Sequence, residues 1–413
     1  MKKNVILLTN NFPYGKGEEF LETEIKYLSE AFDKTVIISL DKKSLKTRDL
    51  PEEVIYDRFK RRVISFYYLF KLVKMFFIEL NLLYNKYKKL NFLNIKHLLS
   101  YIKFASINAK QIEDCLKKYK LNPNETIIYS YWANQNILAA LMLKDKMPEL
   151  VCVTRAHGYD LYEERQTGNY LPFRNYIYKN VDFIFTISDQ GKNYLVERYG
   201  SLVESKIETA RLGVKKVANN IDIKPSKKEN ELFIVSCSYL SPVKRIDLLI
   251  EELAKVDDIK IKWRHIGSGI LWDELNQLAQ NLLSSKKNID FKFMGHQKNS
   301  DIYKFYSDHH IDLFVNVSES EGIPVSFMEA QSFGIPIIAT NVGGVSEIVN
   351  NNNGYLIDKD FSNGTIGKCL RDYILKSEHE KYIMRQNAYN SWMKKYNADR
   401  NYREFMKKLL TLD

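Results

Sequence analysis

Short apolar runs alternate with segments of helical spacing along the first half of the chain. The runs end in small or polar residues and are predicted strands: NVILLTN, KTVIISL, TIIYSYW, LVCVTRAHG and VDFIFTIS. FLETEIKYLSEAF, between the first two runs, places its apolar residues at helical spacing. Strands separated by helices predict a parallel, doubly wound α/β sheet, in which ligands bind at the carboxyl ends of the strands. Side chains at those ends are therefore the first functional candidates: Asn10, Trp132, His157 and Ser188.

A second alternation follows residues 215–231, a polar stretch without periodicity that we interpret as a linker. Its predicted strands are LFIVSCS, IKIKWRHIG, DFKFMG, DLFVNVS, IPIIAT and GYLI, with helices between them. The pattern predicts two Rossmann-like domains that face each other across a cleft, over residues 1–214 and 232–385. Residues 386–413 have helical spacing, and we expect this segment to cross back to the N-terminal domain.

Length and cysteine usage narrow the class of protein. A chain of 413 residues is long enough for two or three domains, each with its own core. Its 4 cysteines form no CxxC pair, which argues against a zinc ribbon or a disulfide scaffold and indicates a reducing, cytoplasmic compartment. The first apolar run ends near Thr9, too early for the apolar region of a secretory signal. We therefore interpret that run as a buried strand.

The excess positive charge is confined to residues 58–110. This segment holds twelve basic residues against the single acid Glu79, so its net charge equals the +11 of the whole chain. Twelve aromatic residues lie in the same segment. A membrane-spanning helix needs about 20 apolar residues, and Lys71, Lys74 and Glu79 interrupt this run. The segment is therefore not expected to span a membrane.

Three interpretations of this basic, aromatic segment compete. At the surface of an anionic membrane, lysines meet the lipid headgroups and aromatic side chains enter the interface. An internal helical layer whose lysines point into water has the same composition, and nucleic-acid binding also combines basic and stacking side chains. We favour peripheral contact with the inner face of the plasma membrane over the helical layer, and we expect no nucleic-acid partner.

The densest group of candidate functional residues is SESEGIPVSFMEAQSFGIPIIATNVGGVSE, residues 318–347. Pro324 suits the first turn of a helix, and Gly322 before it allows the backbone to come close to a ligand. Glu321 then lies in the loop before the helix, and Glu329 lies within the helix. Free N–H groups at a helix start favour a phosphate, and a carboxylate there can accept hydrogen bonds from sugar hydroxyls. A glutamate at this position is equally common as a simple helix cap.

Glu321 and Glu329 form an E-x7-E pattern, and EGIPVSFMEAQSFGIPIIATNVGGVSEIV resembles the donor-site signature of the retaining, nucleotide-sugar-dependent glycosyltransferases of family 4. The resemblance is nearest to enzymes of bacterial capsule, exopolysaccharide and colanic-acid assembly. Other segments resemble the same family, so that the resemblance covers most of the chain: SCSYLSPVKRIDLLIEEL, HIGSGILWDELNQLA and TRAHGYDLY. It implies the GT-B fold and retaining transfer of a sugar, most commonly from a UDP-sugar, to a glycan, lipid-linked or protein acceptor. It implies no cofactor and no bound metal.

The resemblance also implies catalytic residues. Glu321 would contact the transferred sugar and help to place its anomeric carbon. Lys244 would neutralise the diphosphate leaving group. His157 would lie beside the donor sugar, with Asp160 near the acceptor side. A lone histidine at a strand end is more often structural, and here it is the motif match that favours function.

Further residues are implied as donor contacts. Glu329 would bind the ribose hydroxyls of the nucleotide. The family usually carries an arginine five residues before the lysine, where this chain has Tyr239, and we expect Arg245 to supply the second cation instead. The loop YGKGEE would approach the diphosphate, although it could equally be a plain turn. The remaining implied contacts are Gly322, Ile323, Gly15 and Gly17.

Two other functions stay open at this point. The first is another GT-B enzyme, such as a nucleotide-sugar epimerase or a glycogen-type synthase. The second is a glycosyltransferase-like partner that binds glycan or protein without catalysis. The presence of both glutamates, Lys244 and His157 favours the transferase.

Overall fold

The structure is a computed structural model that describes residues 3–15, 18–40, 48–57, 66–87, 91–166, 168–216, 223 and 230–412. By contacts between residues it divides into two compact units. The first unit comprises Met1–Arg211 with Arg400–Asp413, and the second comprises Leu212–Asp399. Most of the predicted linker, residues 215–231, lies outside the described residues, as do residues 58–65 and 88–90 of the basic segment.

The first unit contains a seven-stranded sheet in which every pair of neighbouring strands is parallel. Its strands are β1 Asn4–Thr9, β2 Lys34–Ser39, β3 Ile55–Asp57, β4 Thr126–Ser130, β5 Val151–Ala156, β6 Phe183–Thr186 and β7 Ile207–Thr209. They lie in the order β3-β2-β1-β4-β5-β6-β7. The order reverses between β1 and β4, so the loops after these two strands flank the place where doubly wound sheets bind ligands.

Helices cover this sheet: α1 Leu21–Ala31, α2 Phe66–Tyr87, α3 Phe92–Lys118, α4 Gln135–Leu143, α5 Arg174–Asn180 and α6 Asp189–Tyr199. Side-chain caps fix several helix starts. The Asn91 side chain accepts a hydrogen bond from the Leu93 N–H at the start of α3, and Ser188 does the same for Gly191 in α6. The strand-end residue Ser188 is therefore a helix cap.

The second unit repeats the architecture with six parallel strands in the order β10-β9-β8-β11-β12-β13. The strands are β8 Glu231–Cys237, β9 Lys260–Ile266, β10 Ile289–Phe293, β11 Leu313–Asn316, β12 Ile337–Thr340 and β13 Gly354–Ile357. Its helices are α7 Ile246–Ala254, α8 Trp272–Leu283, α9 Asn299–Asp308, α10 Val325–Ser332, α11 Thr365–Leu375 and α12 Glu378–Lys395. Here the order reverses between β8 and β11. The predicted α/β class with two doubly wound parallel sheets is confirmed.

The last helix, α13 Ala398–Leu410, completes the core of the first unit. Its Phe405 side chain is buried, with the ring 5.4 Å from that of Tyr129 and 4.8 Å from that of Phe185. The Tyr402 ring packs 5.4 Å from that of Tyr27 in α1. The C-terminal helix therefore packs on the first unit through buried aromatic side chains.

Within the described part of the basic segment, α2 and α3 present apolar side chains on both faces. The inner face of α2 buries Tyr68, Leu72, Met75, Glu79 and Leu83 at the spacing of one helix face. On its outer face Phe66, Phe70 and Phe77 are 85%, 83% and 64% exposed. Across the parts of the chain that the structure covers, no helix combines the length and apolarity needed to cross a bilayer.

Candidate functional site

The structure brings Glu321 and Lys244 together at the reversal of strand order in the second unit. Glu321 follows β11, and Lys244 lies in the loop after β8. The Lys244 Nζ atom is 2.6 Å from Glu321 Oε1, and the two side chains are 22% and 9% exposed. The amide group of Asn316, the last residue of β11, donates to the same carboxylate oxygen over 3.3 Å. A cation and a carboxylate thus meet where a doubly wound sheet binds its ligand.

The loop between β11 and α10 is supported by the glycine pair after β12. The Gly344 N–H donates to the Gly322 carbonyl over 3.0 Å. A Cβ on Gly344 would lie 2.8 Å from Ile323 Cγ1 and 2.9 Å from Gly322 O, so this contact requires a glycine. Pro324 is the residue just before α10, one position earlier than the first-turn placement expected from the sequence. The loop before α10 is therefore set by backbone packing.

Glu329 lies in the second turn of α10 and is buried. Its Oε1 atom is 3.4 Å from both the Asn299 amide nitrogen and the Tyr303 hydroxyl of α9. Burial raises the pKa of the Glu329 carboxyl from 4.5 to about 7, against a lowering effect of the Tyr303 hydroxyl. A carboxyl group in this state can both donate to and accept from the hydroxyls of a bound ligand.

Arg245 is placed differently from Lys244. Its backbone is left-handed, with φ of 48°. The guanidinium donates to two main-chain carbonyls, through Nε to Val317 over 2.7 Å and through Nη2 to Lys359 over 2.8 Å. These bonds fasten the loops around the site, and the second-cation role of Arg245 stays a prediction.

The Gly-x-Gly turn after β9 packs directly on the loop that carries Lys244. A Cβ on Gly267 would lie 1.9 Å from the Ser238 carbonyl oxygen, and one on Gly269 would lie 2.2 Å from that of Leu240. Both neighbours are backbone atoms that cannot move aside cheaply, so only glycine permits this approach. Among the described residues, no three His, Cys, Asp or Glu side chains are grouped closely enough to bind a metal ion.

In the first unit, His157 follows β5 and lies in an aromatic cluster. Its ring centroid is 4.5 Å from that of Trp132 and 4.6 Å from that of Tyr131. Among the residues that the structure describes, neither ring nitrogen has a hydrogen-bond partner although His157 is buried, and Nδ1 lies 3.8 Å from Asp160 Oδ2. A buried imidazole without such a partner is suited to a ligand hydroxyl, because unsatisfied buried polar groups are costly.

Asp160 joins the loops after β4 and β5. Its Oδ1 accepts the His157 N–H over 2.9 Å and its Oδ2 accepts the Ala133 N–H over 2.8 Å. Burial acts to raise the pKa of this carboxyl, and the interactions with His157 and the two N–H groups outweigh it, so that the pKa is lowered. The side chain is therefore occupied in holding both loops, and its contact with an acceptor stays a prediction.

The predicted glycine loop after β1 is described only in part. Gly15 has a φ of 61°, a left-handed conformation that favours glycine. Gly17 lies outside the described residues. The diphosphate contact expected of both glycines stays a prediction.

Four residues of these two sites were not among the candidates from the sequence. Asn316 is at the carboxyl end of β11, and the strand-end rule used for the first half would have found it. Asn299 and Tyr303 share a face of α9, but only the fold places that face against Glu329, 30 and 26 residues away. Glu18, whose contacts are described below, lies in the YGKGEE segment, where the glycines and not this carboxylate were the candidates.

Comparison with solved structures defines the fold of the protein. The solved structure of Anabaena HepE, in complex with UDP and glucose, superposes with a TM-score of 0.68 at 15% identity, covering 98% of this chain and 99% of that chain. At this identity the likeness shows the fold alone. The chain has the GT-B fold of glycosyltransferases.

A family match lies in the second unit. Residues 218–391, which include Lys244, Glu321 and Glu329, match the family described as glycosyl transferases group 1. The matched segment contains the E-x7-E pattern, in agreement with the resemblance seen in the sequence.

Two named glycosyltransferases are similar in sequence to about two thirds of this chain. The O-antigen biosynthesis glycosyltransferase WbnH of Escherichia coli is 28% identical over 278 residues, 62% of this chain and 75% of that protein. The GtfA subunit of the UDP-N-acetylglucosamine–peptide N-acetylglucosaminyltransferase of Streptococcus agalactiae is 23% identical over 67% of this chain. The matched region spans 54% of the GtfA subunit, so it covers only about half of that relative.

Proposed function

We propose that the protein transfers a sugar from a UDP-sugar to an acceptor hydroxyl, with retention at the anomeric carbon. The observation that carries the proposal is the Lys244–Glu321 pair at the strand reversal of the group 1 domain. Supporting it, Anabaena HepE was solved with UDP and glucose, and the streptococcal relative is named for a UDP-sugar. An acceptor in cell-surface polysaccharide or glycoconjugate synthesis is favoured because WbnH is named for O-antigen biosynthesis.

In the proposed reaction the bond between the anomeric carbon and the diphosphate oxygen breaks, and a bond to the acceptor oxygen forms on the same face. The acceptor proton passes to the leaving diphosphate, whose growing charge Lys244 neutralises. Lys244 then leaves its contact with Glu321, and that carboxylate is available to the hydroxyls of the transferred sugar. Glu329 holds the ribose, and the free ring nitrogens of His157 bind a sugar hydroxyl. The chain's own contribution is positioning and charge stabilisation.

A thermal-shift screen of nucleotide sugars, followed by transfer and donor hydrolysis with the best binder, tests the proposal. We expect Glu321→Ala to lower kcat by about 100-fold or more, while the melting temperature changes little, because an interaction made in the transition state is lost. Glu319→Ala is the matched control, since Glu319 is on the same loop with its side chain 56% exposed.

Near-normal transfer by the Glu321→Ala variant would contradict the proposed role. Release of nucleotide or of an altered sugar without any acceptor would favour the nucleotide-sugar epimerase. Binding of a glycan without hydrolysis or transfer of any donor would favour the non-catalytic partner.

We further propose that the outer face of α2 and α3 contacts an anionic membrane. Its apolar members are strongly exposed and include Phe92 and Leu99 of α3 in addition to the three phenylalanines of α2. Lys71 is paired with Asp145 and Lys110 with Asp114, whereas other lysines of the segment are exposed: Lys74, Lys96 and Lys103. An exposed apolar face of this size, with lysines on it, is typical of a surface that enters the lipid interface.

Flotation with phosphatidylglycerol and phosphatidylcholine vesicles tests this contact. We expect binding to the anionic vesicles, and loss of binding in the triple variant Lys74→Gln, Lys96→Gln, Lys103→Gln and in the double variant Phe70→Ser, Phe77→Ser. Unchanged binding by both variants would overturn the proposal and leave α2 and α3 as a helical layer facing water.

A further inference from the structure

The loop after β1 forms a nest of backbone N–H groups that is filled by a side chain of the same loop. The Glu18 carboxylate accepts the N–H of Asn10 over 3.0 Å, of Asn11 over 2.7 Å and of Phe12 over 2.6 Å. Glu18 itself is buried. Successive N–H groups that converge on one point bind anions, and here the anion is supplied internally.

The same carboxylate also holds Trp132 of the neighbouring loop. The Trp132 indole N–H donates to Glu18 Oε1, so four donors share one carboxylate. Glu18 has a φ of 56°, a left-handed conformation that is unfavourable for a glutamate. The charge-assisted bonds to the carboxylate offset this cost. The unusual backbone of Glu18 is thus kept because its side chain links the two loops.

Trp132 in turn forms one wall of the His157 cluster. Its ring is 4.5 Å from the His157 ring and 5.5 Å from that of Tyr159. Phe20, two residues after Glu18, belongs to the same cluster. Its ring centroid lies 6.2 Å from that of His157, and it stacks on Tyr131 at 5.5 Å. Glu18 is therefore connected to His157 through a single, half-buried indole ring.

We propose that Glu18 is a positioning residue of the His157 site: by filling the nest after β1 it holds Trp132 against His157 in the geometry needed for transfer. The inference rests on the role proposed above for His157. It assigns the nest to an internal carboxylate, so that in this structure these three N–H groups are not open to a donor phosphate.

The variant Glu18→Gly tests the proposal, because glycine adopts the same φ without strain while the side chain with its carboxylate is lost. We expect kcat to fall about 10-fold to 100-fold with the donor KM little changed, since a small displacement of a catalytic group is enough for such a loss. The emptied nest should then bind formate. Added formate is expected to raise kcat of the variant several-fold and to change its tryptophan fluorescence.

Two matched variants make the test decisive. Formate should have no effect on the wild-type protein, whose nest is filled, and should leave the fluorescence of Glu18→Gly combined with Trp132→Phe unchanged. Glu18→Gln, which keeps a side chain in the nest, should be slow and unresponsive to formate. This variant also replaces Glu18→Gly if the latter does not fold.

Wild-type kcat in both Glu18 variants, or a formate response that does not depend on Trp132, would overturn the inference. The variant His157→Ala tests the proposed role of His157 independently of Glu18. Full transfer by His157→Ala would reject that role, whereas the formate-dependent fluorescence of Trp132 would still report whether Glu18 holds the indole.

Discussion

At the scale of single residues, two glutamates eight positions apart have different chemistry because of what surrounds them. Glu321 faces the Lys244 ammonium, whereas Glu329 lies in a buried site with Asn299 and Tyr303 each 3.4 Å from its Oε1 atom. The pKa of Glu329 is accordingly raised to about 7. The shared motif therefore does not give the two carboxyl groups the same surroundings.

The stability of the ligand-free protein should depend on pH through Glu329. Its pKa in the folded protein lies above the ordinary value of 4.5, so the folded state binds the proton more tightly than the unfolded state. The resulting stabilisation is present at low pH and is lost as pH rises from about 4.5 to about 7. We expect the Glu329→Gln variant to lack this loss, which amounts to about 3 kcal/mol. Urea unfolding between pH 5 and 8 measures it.

Asp312 provides the internal control for this measurement. Burial raises the pKa of the Asp312 carboxyl to about 6, against a lowering effect of the Phe233 N–H that it accepts. Asp312 changes the free energy of unfolding with pH in the same direction, and it is present in both the wild-type protein and the Glu329→Gln variant. The difference between their pH profiles therefore reports Glu329 alone. Parallel pH profiles for the two proteins would contradict the buried, proton-binding state of Glu329.

Residue identities at the donor site could be predicted from the sequence better than their contacts. The E-x7-E spacing identifies both glutamates, and the segment before α7 identifies Lys244. The direction of the Arg245 side chain could not be predicted, because it depends on a left-handed backbone and on two carbonyls distant in sequence. Local pattern reports which residue types are present, whereas the contacts depend on tertiary packing.

At the scale of elements, a buried ion pair joins α1 to the first sheet. Arg155 of β5 and Glu24 of α1 are both fully buried, with Nη1 and Oε2 2.7 Å apart. The Tyr129 hydroxyl of β4 donates to the other carboxylate oxygen over 2.9 Å, and Arg155 Nη2 donates to the Ala210 carbonyl after β7. One guanidinium thus connects a helix, two strands and a loop.

Removing one partner of this pair should destabilise the first unit strongly. We expect Arg155→Met to lower the free energy of unfolding by about 3–5 kcal/mol, because Glu24 is left as a buried charge without a cation. The double variant Arg155→Met, Glu24→Leu should lose much less. Urea unfolding followed by circular dichroism measures both.

Arg403→Met is the control, since the pair of Arg403 with Glu30 is exposed and 3.9 Å apart. A pair of that kind contributes at most about 1 kcal/mol. If the double variant were as unstable as Arg155→Met, the loss would come from packing rather than from the unpaired carboxylate.

Most elements could be predicted from periodicity, and the exceptions have a physical reason. The strands β3 and β7 were not expected, because each has three residues and lies at an edge of the sheet, where few apolar positions are needed. The partners of His157 were also beyond prediction, since they come from loops after three different strands. Hydrophobic pattern specifies strands that are buried on both faces and says little about edges and loops.

At the scale of the whole molecule, the candidate residues are divided between the two units. Lys244, Glu321 and Glu329 belong to the second unit, and His157 and Asp160 belong to the first. The excess charge belongs to the first unit as well, through α2, α3 and the residues before them. The donor site proposed for Lys244, Glu321 and Glu329 and the charged surface are thus in different units of the chain.

Hydrogen exchange with UDP alone should reveal this division. We expect slower exchange in peptides covering residues 238–245 and 316–329, because nucleotide binding stabilises the segments that it contacts. The strand-end loops of the first unit at residues 10–15 and 131–134 should change less and serve as the control. Protection found mainly in the first unit would contradict the assignment of the donor site.

The helix α13 has a consequence for the order of events during synthesis. The first unit lacks the rings of Tyr402 and Phe405 until the ribosome has made the whole of Leu212–Asp399, which takes roughly 10–40 s at the usual rate of elongation. During that interval Tyr27, Tyr129 and Phe185 have an uncovered apolar neighbourhood, and Arg155 has no aromatic ring over its guanidinium. The nascent N-terminal half therefore exposes apolar surface that its own C-terminal helix covers later, although its sheet is the first to leave the ribosome.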